Sequence, residues 1–159
     1  MAPLKVAVVG AGPSGLIMAT ALRRRNIRAD IFERAESPKQ LAVGAGVNLM
    51  QPCISVLEQE GMLEAVHACN EPTSHFHFYD AATNSTIRSV DLHTRYGKPY
   101  FTVRRGDITR ELLEAMPGEG PHYGLSVVAV EEDAGKMRLR FKTGATSEAF
   151  DAVVGAGNR

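Results

Sequence analysis

Tryptophan is absent from this sequence and cysteine nearly so, with Cys53 and Cys69 the two thiols among 159 residues. That pair gives no metal-site spacing, fits a reducing compartment such as the cytoplasm, and reads as two ordinary helix residues. An excess of either charge is also missing: Lys+Arg and Asp+Glu both number 18. With no global field to draw in nucleic acid or an anionic membrane surface, small molecules are the expected partners. Long hydrophobic runs are lacking too. The longest are a few residues, far short of the roughly 20 needed to cross a bilayer, and MAPLKVAVVGAG shows neither a charged leader nor a cleavage-like segment. A hydrophobic content of 44% over this length is enough to close one core, so one domain is expected.

The elements that are present begin with a short apolar run, Lys5 to Val9, ended by glycine. Such a run predicts a strand buried on both faces. From Ser14 to Arg25 apolar residues recur at helical spacing, with Ile17 and Ala21, and Met18 and Leu22, as i to i+4 pairs. Asn26 follows where a left-handed cap is needed, and Ala29 to Phe32 reads as a second strand parallel to the first. Gln51 to Asn70 predicts two short helices, with Pro52 in a first turn and Gly61 between them. His75 to Tyr79 and Thr86 to Leu92 predict strands around the turn Ala81 to Ser85. A helix over Thr109 to Met116, stopped by Pro117, and strands over Leu125 to Val130, Met137 to Phe141 and Phe150 to Val154 complete the reading.

Gly10, Gly12 and Gly15 form GxGxxG between a predicted strand and a predicted helix, the context that makes this pattern informative. The first glycine permits a tight turn, the second removes a side chain that would block a pyrophosphate, and the third lets helix and strand pack closely. Free N–H groups and the positive end of the helix dipole then favour phosphate. Glu33, at the end of the second strand, is placed to accept hydrogen bonds from the hydroxyls of an adenosine ribose. Adenine dinucleotide binding follows from this arrangement, while FAD and NAD are not separated by it.

The same stretch resembles the longer pattern GxGxxGxxxAxxLxxxGxxxxxxE of FAD-binding proteins at Gly10, Gly12, Gly15, Ala19, Leu22 and Glu33, with Asn26 replacing one glycine. GAGVNLMQPCISVLEQEGMLEAV (Gly44 to Val66) and YFTVRRGDITRELLEAM (Tyr100 to Met116) resemble two further segments of flavoprotein aromatic hydroxylases. The chain thus resembles the N-terminal part of FAD-dependent monooxygenases of the salicylate hydroxylase and p-hydroxybenzoate hydroxylase type. That resemblance implies an α/β, Rossmann-like FAD-binding domain over residues 1–159, with a parallel sheet and an additional antiparallel β element, truncated relative to the family and without most of the substrate-binding part. It implies cofactor contacts at Gly10, Gly12, Pro13, Ser14, Gly15, Glu33, Arg34, Gly46 and Arg105. Arg105 matches the flavin-contacting arginine of the family, whereas Arg104 stands where the family varies. The chemistry implied is NADPH-dependent hydroxylation of an aromatic or enolic small molecule, with no general base assigned.

The resemblance changes at the end of the chain. Where the family carries Gly-Ala-Asp-Gly, this sequence has Gly155, Ala156, Gly157 and Asn158. The expectation is a fragment or shortened relative whose flavin site a second chain would complete, unable to couple NADPH oxidation to hydroxylation alone. Two other readings stand beside it: an NAD-linked oxidoreductase, and an inactive remnant that binds an adenine dinucleotide or a partner chain. His75 and His77 share one strand face but lack the further ligands of a metal site. Arg23 to Arg25 complement a helix C-terminus. Ser14 lies in GPSG, outside a GxSxG nucleophile elbow.

Overall fold

A computed structural model describes residues 3–41, 44–97 and 99–157. β1 (Lys5–Val9) and β2 (Arg28–Phe32) are parallel and joined by helix α1 (Pro13–Arg24). A third parallel strand, β9 (Ala152–Gly155), returns from the far end of the chain to pair with β1, giving the order β2-β1-β9. β1 is apolar on both sides because both are covered. Val8 joins Leu16, Ala19 and Ile31 in a cluster on the helical side, and Ala7 joins Phe32, Leu139, Phe141 and Phe150 on the other. At about 25 cal/mol per Å² of apolar surface removed from water, a central strand buried on both faces anchors the fold.

The helical layer consists of α1, the four-residue α2 (Pro38–Leu41), α3 (Gln51–Gln59) and α4 (Leu63–His67). α6 (Arg105–Ala115) packs against both α1 and α4. Gly61 separates α3 from α4 at φ +64. Asn26 takes φ 58 just beyond α1, the left-handed conformation expected of it. α6 begins four residues before the start predicted from Thr109. Gly106 interrupts the apolar pattern there, but Asp107 in the first turn suits the helix dipole.

Three antiparallel pairs surround this frame. β3 (Gly46–Leu49) pairs with β6 (Phe101–Arg104), a ribbon not anticipated from sequence. β4 (His75–Tyr79) and β5 (Thr86–Asp91) form the expected hairpin, and α5 (Leu92–Tyr96) follows with the Asp91 side chain accepting from the Thr94 N–H as its cap. β7 (Val127–Asp133) and β8 (Lys136–Phe141) form the hairpin that covers the second face of the parallel sheet. β7 starts two residues after the predicted Leu125, because residues 122–125 instead run beside the end of β2. His122 donates to the Ile31 carbonyl, and the N–H groups of Glu33 and Leu125 bond the carbonyls of His122 and Glu33. β9 likewise starts at Ala152 and not at Phe150, whose N–H and carbonyl both bond Met137.

Candidate functional site

At the C-terminal ends of the parallel strands, where the chain turns from β1 into α1, a cleft of about 610 Å³ opens. Such a crevice is where ligands of open parallel sheets bind. Gly10, Gly12, Pro13 and Ser14 form one side. Gly10 takes φ +110, and a Cβ there would stand 2.8 Å from the Gly157 backbone nitrogen, so this position requires glycine twice over. Gly12 caps α1 with no side-chain hydrogen bond, and Pro13 occupies the first turn. The N–H groups of that turn have no partner within the helix, and their dipole end faces the cleft. Gly15 is outside the lining. It serves packing: a Cβ there would lie 1.9 Å from the Gly10 carbonyl oxygen.

Arg105 reaches the same place from the opposite element. It is the first residue of α6, and its side chain crosses the space that glycines leave. A Cβ on Gly12 would come 3.2 Å from its Nη2, and one on Gly44 would come 3.3 Å from its Cδ. A guanidinium therefore stands against the amide-rich turn, the two together suited to an anionic group of bidentate geometry. Asp107 and Glu111, the acidic neighbours of Arg105 in sequence, instead pair with Arg110.

Glu33 marks the other end of the cleft. Although it lines the opening it is only 7% exposed. Its Oε2 accepts from the Ala11 N–H at 2.7 Å and its Oε1 from the Ala35 N–H at 2.8 Å. Each oxygen keeps acceptor capacity for a further donor. The carboxylate thus also ties the glycine turn to the end of β2. Its field, after the effect of burial, pushes the Tyr123 phenol up from its ordinary range. Arg34 lines the opening from an exposed position.

Seven of the nine sequence-derived residues gather here: Gly10, Gly12, Pro13, Ser14, Glu33, Arg34 and Arg105. Gly46 does not line the cleft among the described residues. It sits in β3 across from Arg104, because the chain turns away at Ala45, whose carbonyl accepts the Arg105 N–H. Asn158 lies outside the described residues. Sequence reasoning missed the far wall, formed by Gln40, Leu41 and Leu125–Val127. Its apolar character was visible, but its position depends on the long-range bonding of residues 122–125 to β2.

The remaining candidates separate from this site. His75 and His77 stack with ring centroids 5.7 Å apart, and among the described residues no group of three metal-binding side chains occurs. Burial, with smaller contributions from Glu111 and Asp107, pushes the Cys69 thiol up to about 11, and burial also raises Cys53. Neither thiol is an activated nucleophile. Among the described residues no helix is long and apolar enough to cross a membrane.

The chain is 34% identical over 157 residues to 3-amino-4-hydroxybenzoate 2-monooxygenase of Streptomyces cremeus, covering 96% of this chain and 39% of the relative. It is 29% identical over 155 residues to 6-hydroxynicotinate 3-monooxygenase of Pseudomonas fluorescens, covering 95% and 40%. The chain thus spans about two fifths of the length of these curated relatives. Its fold matches that of Klebsiella pneumoniae HpxO, a structure complexed with FAD and uric acid, at a TM-score of 0.81 and 23% identity over 94% of this chain and 38% of that one. Residues 3–155 match the family model described as an FAD binding domain, and the chain belongs to that family.

Proposed function

We propose that this chain binds FAD in the cleft and is the cofactor-holding part of a flavin-dependent monooxygenase that hydroxylates an aromatic small molecule with NADPH as reductant. The observation that carries the reading is the convergence of an uncapped helix N-terminus, a guanidinium and a tethered carboxylate along one cleft at the end of a parallel sheet. The residues fit the group. Gly12 leaves open a place that a Cβ would narrow against Arg105, so a pyrophosphate can approach both amides and guanidinium. Glu33 would take the ribose hydroxyls, and Arg34 would lie along the adenosine end. The bound flavin would supply the electron transfer and oxygen chemistry, while these residues bind and orient it.

Two of the relatives carry names that describe action on aromatic acids, 3-amino-4-hydroxybenzoate and 6-hydroxynicotinate. A phenolic or heteroaromatic ring is accordingly the substrate class proposed for the whole protein. The test is to load the purified chain with FAD, remove free cofactor, and record visible absorption, with NAD as competitor. Retained flavin absorption that NAD does not displace supports the reading. A chain that holds NAD and releases FAD is a nicotinamide protein. Product mass and NADPH consumption with a panel of phenols then test the chemistry.

A further inference from the structure

The β3–β6 ribbon has two unlike faces. Val47, Leu49, Phe101 and Val103 turn toward the core, and the alternate positions Gly46, Asn48, Thr102 and Arg104 turn outward. Along the outer face the Thr102 hydroxyl donates to Asn48 Oδ1 at 3.1 Å, and the Thr73 hydroxyl reaches Thr102 Oγ1 at 3.4 Å. Arg104 ends this ladder, exposed, directly across from Gly46. Among the described residues no hydrogen bond or ion pair holds its guanidinium, and neither strand of the ribbon carries an acidic residue. Its neighbour in sequence, Arg105, projects the other way into the cofactor cleft. The outer face therefore begins next to the cleft and runs toward the β4–β5 hairpin, where the Thr73 N–H bonds the Tyr100 carbonyl.

We infer that this face is a substrate-recognition surface on which Arg104 takes the carboxylate of an aromatic acid. The inference rests on the reading of the chain as part of an aromatic hydroxylase and assigns its acid specificity to one residue. The chemistry matches the parts. An arginine offers parallel N–H donors in the geometry of a carboxylate. Gly46 opposite it has no side chain, which leaves a flat floor for a planar ring. The Asn48 amide group, with its oxygen already accepting from Thr102, has N–H donors to offer a ring hydroxyl. Arg104 is a specificity residue in this account, with no part in holding the cofactor.

The test uses the 159-residue chain, isotopically labelled, with and without FAD. 4-Hydroxybenzoate and its uncharged amide, 4-hydroxybenzamide, are titrated while backbone amide signals are followed. The expected result is shifts at Gly46, Thr102 and Arg104, with the benzoate at least tenfold tighter than the benzamide. In Arg104→Gln the two probes become equal, and Arg104→Lys, which keeps charge without the fork, falls between. Absence of benzoate shifts on the ribbon overturns the inference, as does a preference for benzoate that survives in Arg104→Gln. FAD affinity measured on the same parent samples reports on the cleft alone. A chain that binds benzoate at the ribbon but not FAD would sink the cofactor reading and keep the ribbon assignment, and the reverse result would do the opposite.

Discussion

β1 and β5 are both short extended segments rich in β-branched residues, yet they have opposite fates. β1 is enclosed by helices on one side and the β7–β8 hairpin on the other, with Ala7 and Val8 fully buried. In β5 every residue but Val90 is exposed, and Ile87 is 67% accessible; Phe78 and Tyr79 on the partner strand are exposed as well. Backbone pairing is present in both, so pairing does not set the difference. A second apolar layer does. The β1–α1–β2 unit carries that layer locally, in the helix between its strands, and the cleft forms at the same turn. The β4–β5 hairpin meets the rest of the described chain at its base, where Phe76 sits edge-on against Tyr100 with centroids 4.9 Å apart. Stability and cofactor binding should therefore be concentrated in the first region and nearly independent of the second.

The sharpest way to break this contrast is Gly15→Ala. The new Cβ would collide with the Gly10 carbonyl, and backbone cannot step aside as a flexible side chain can. A loss of about 3 kcal/mol or more is expected in urea denaturation. A result within 0.5 kcal/mol, on the order of a neutral surface change, would show that the turn is looser than described. Next comes Leu16→Ala on the buried face of α1, expected to cost about 2 to 5 kcal/mol through lost burial and the cavity left behind.

A smaller effect should follow pH. The hydrogen bond from Arg25 holds the Glu60 carboxyl below its ordinary range, against the opposing effect of burial. Lys136, and then the Lys5 N–H, do the same for Asp151. A depressed carboxylate contributes stability above its unfolded-state pKa and loses it as pH falls through the folded one. The urea midpoint should thus hold from neutrality to about pH 5 and decline below about pH 4. Glu60→Gln should make the decline shallower, and an identical decline in that variant would remove the Arg25 pair from the account. The smallest effect belongs to the hairpin. Ile87→Thr should change stability by less than about 0.5 kcal/mol and leave FAD affinity untouched.

How far the molecule could be read in advance follows the same division. β1, α1, β2 and the left-handed Asn26 were legible because each rests on contacts close in sequence: helical spacing, a cap, a glycine turn. The glycine motif with Glu33 located the cleft for the same reason. The tether from Ala11 to Glu33 was not legible, since a carboxylate at the end of β2 looks the same whether it meets backbone or solvent. The β3–β6 ribbon escaped because β3 has four residues, opens on glycine, and finds its partner across α3, α4 and the β4–β5 hairpin. The far wall of the cleft escaped because residues 122–125 are held by β2 and not by any pattern of their own. Arg105 was assigned to the cofactor by resemblance alone, and its place in the cleft, against Gly12 and Gly44, depends on the packing of α6 beside the glycine turn.

The central claim is that the cleft grips the adenosine diphosphate half of FAD through the glycine turn, Glu33 and Arg105. Its most direct test is an FAD titration, followed by flavin fluorescence, of the parent chain, Glu33→Ala, Arg105→Lys and Arg105→Ala, with circular dichroism confirming that each is folded. Removing a charge-assisted hydrogen bond should cost about 1.5 to 3 kcal/mol, or roughly one to two decades in affinity. The account predicts saturable binding by the parent, a loss of that size in Glu33→Ala, and a larger loss in Arg105→Ala than in Arg105→Lys. A parent chain that does not bind FAD, or folded variants that all bind it as tightly as the parent, would contradict it.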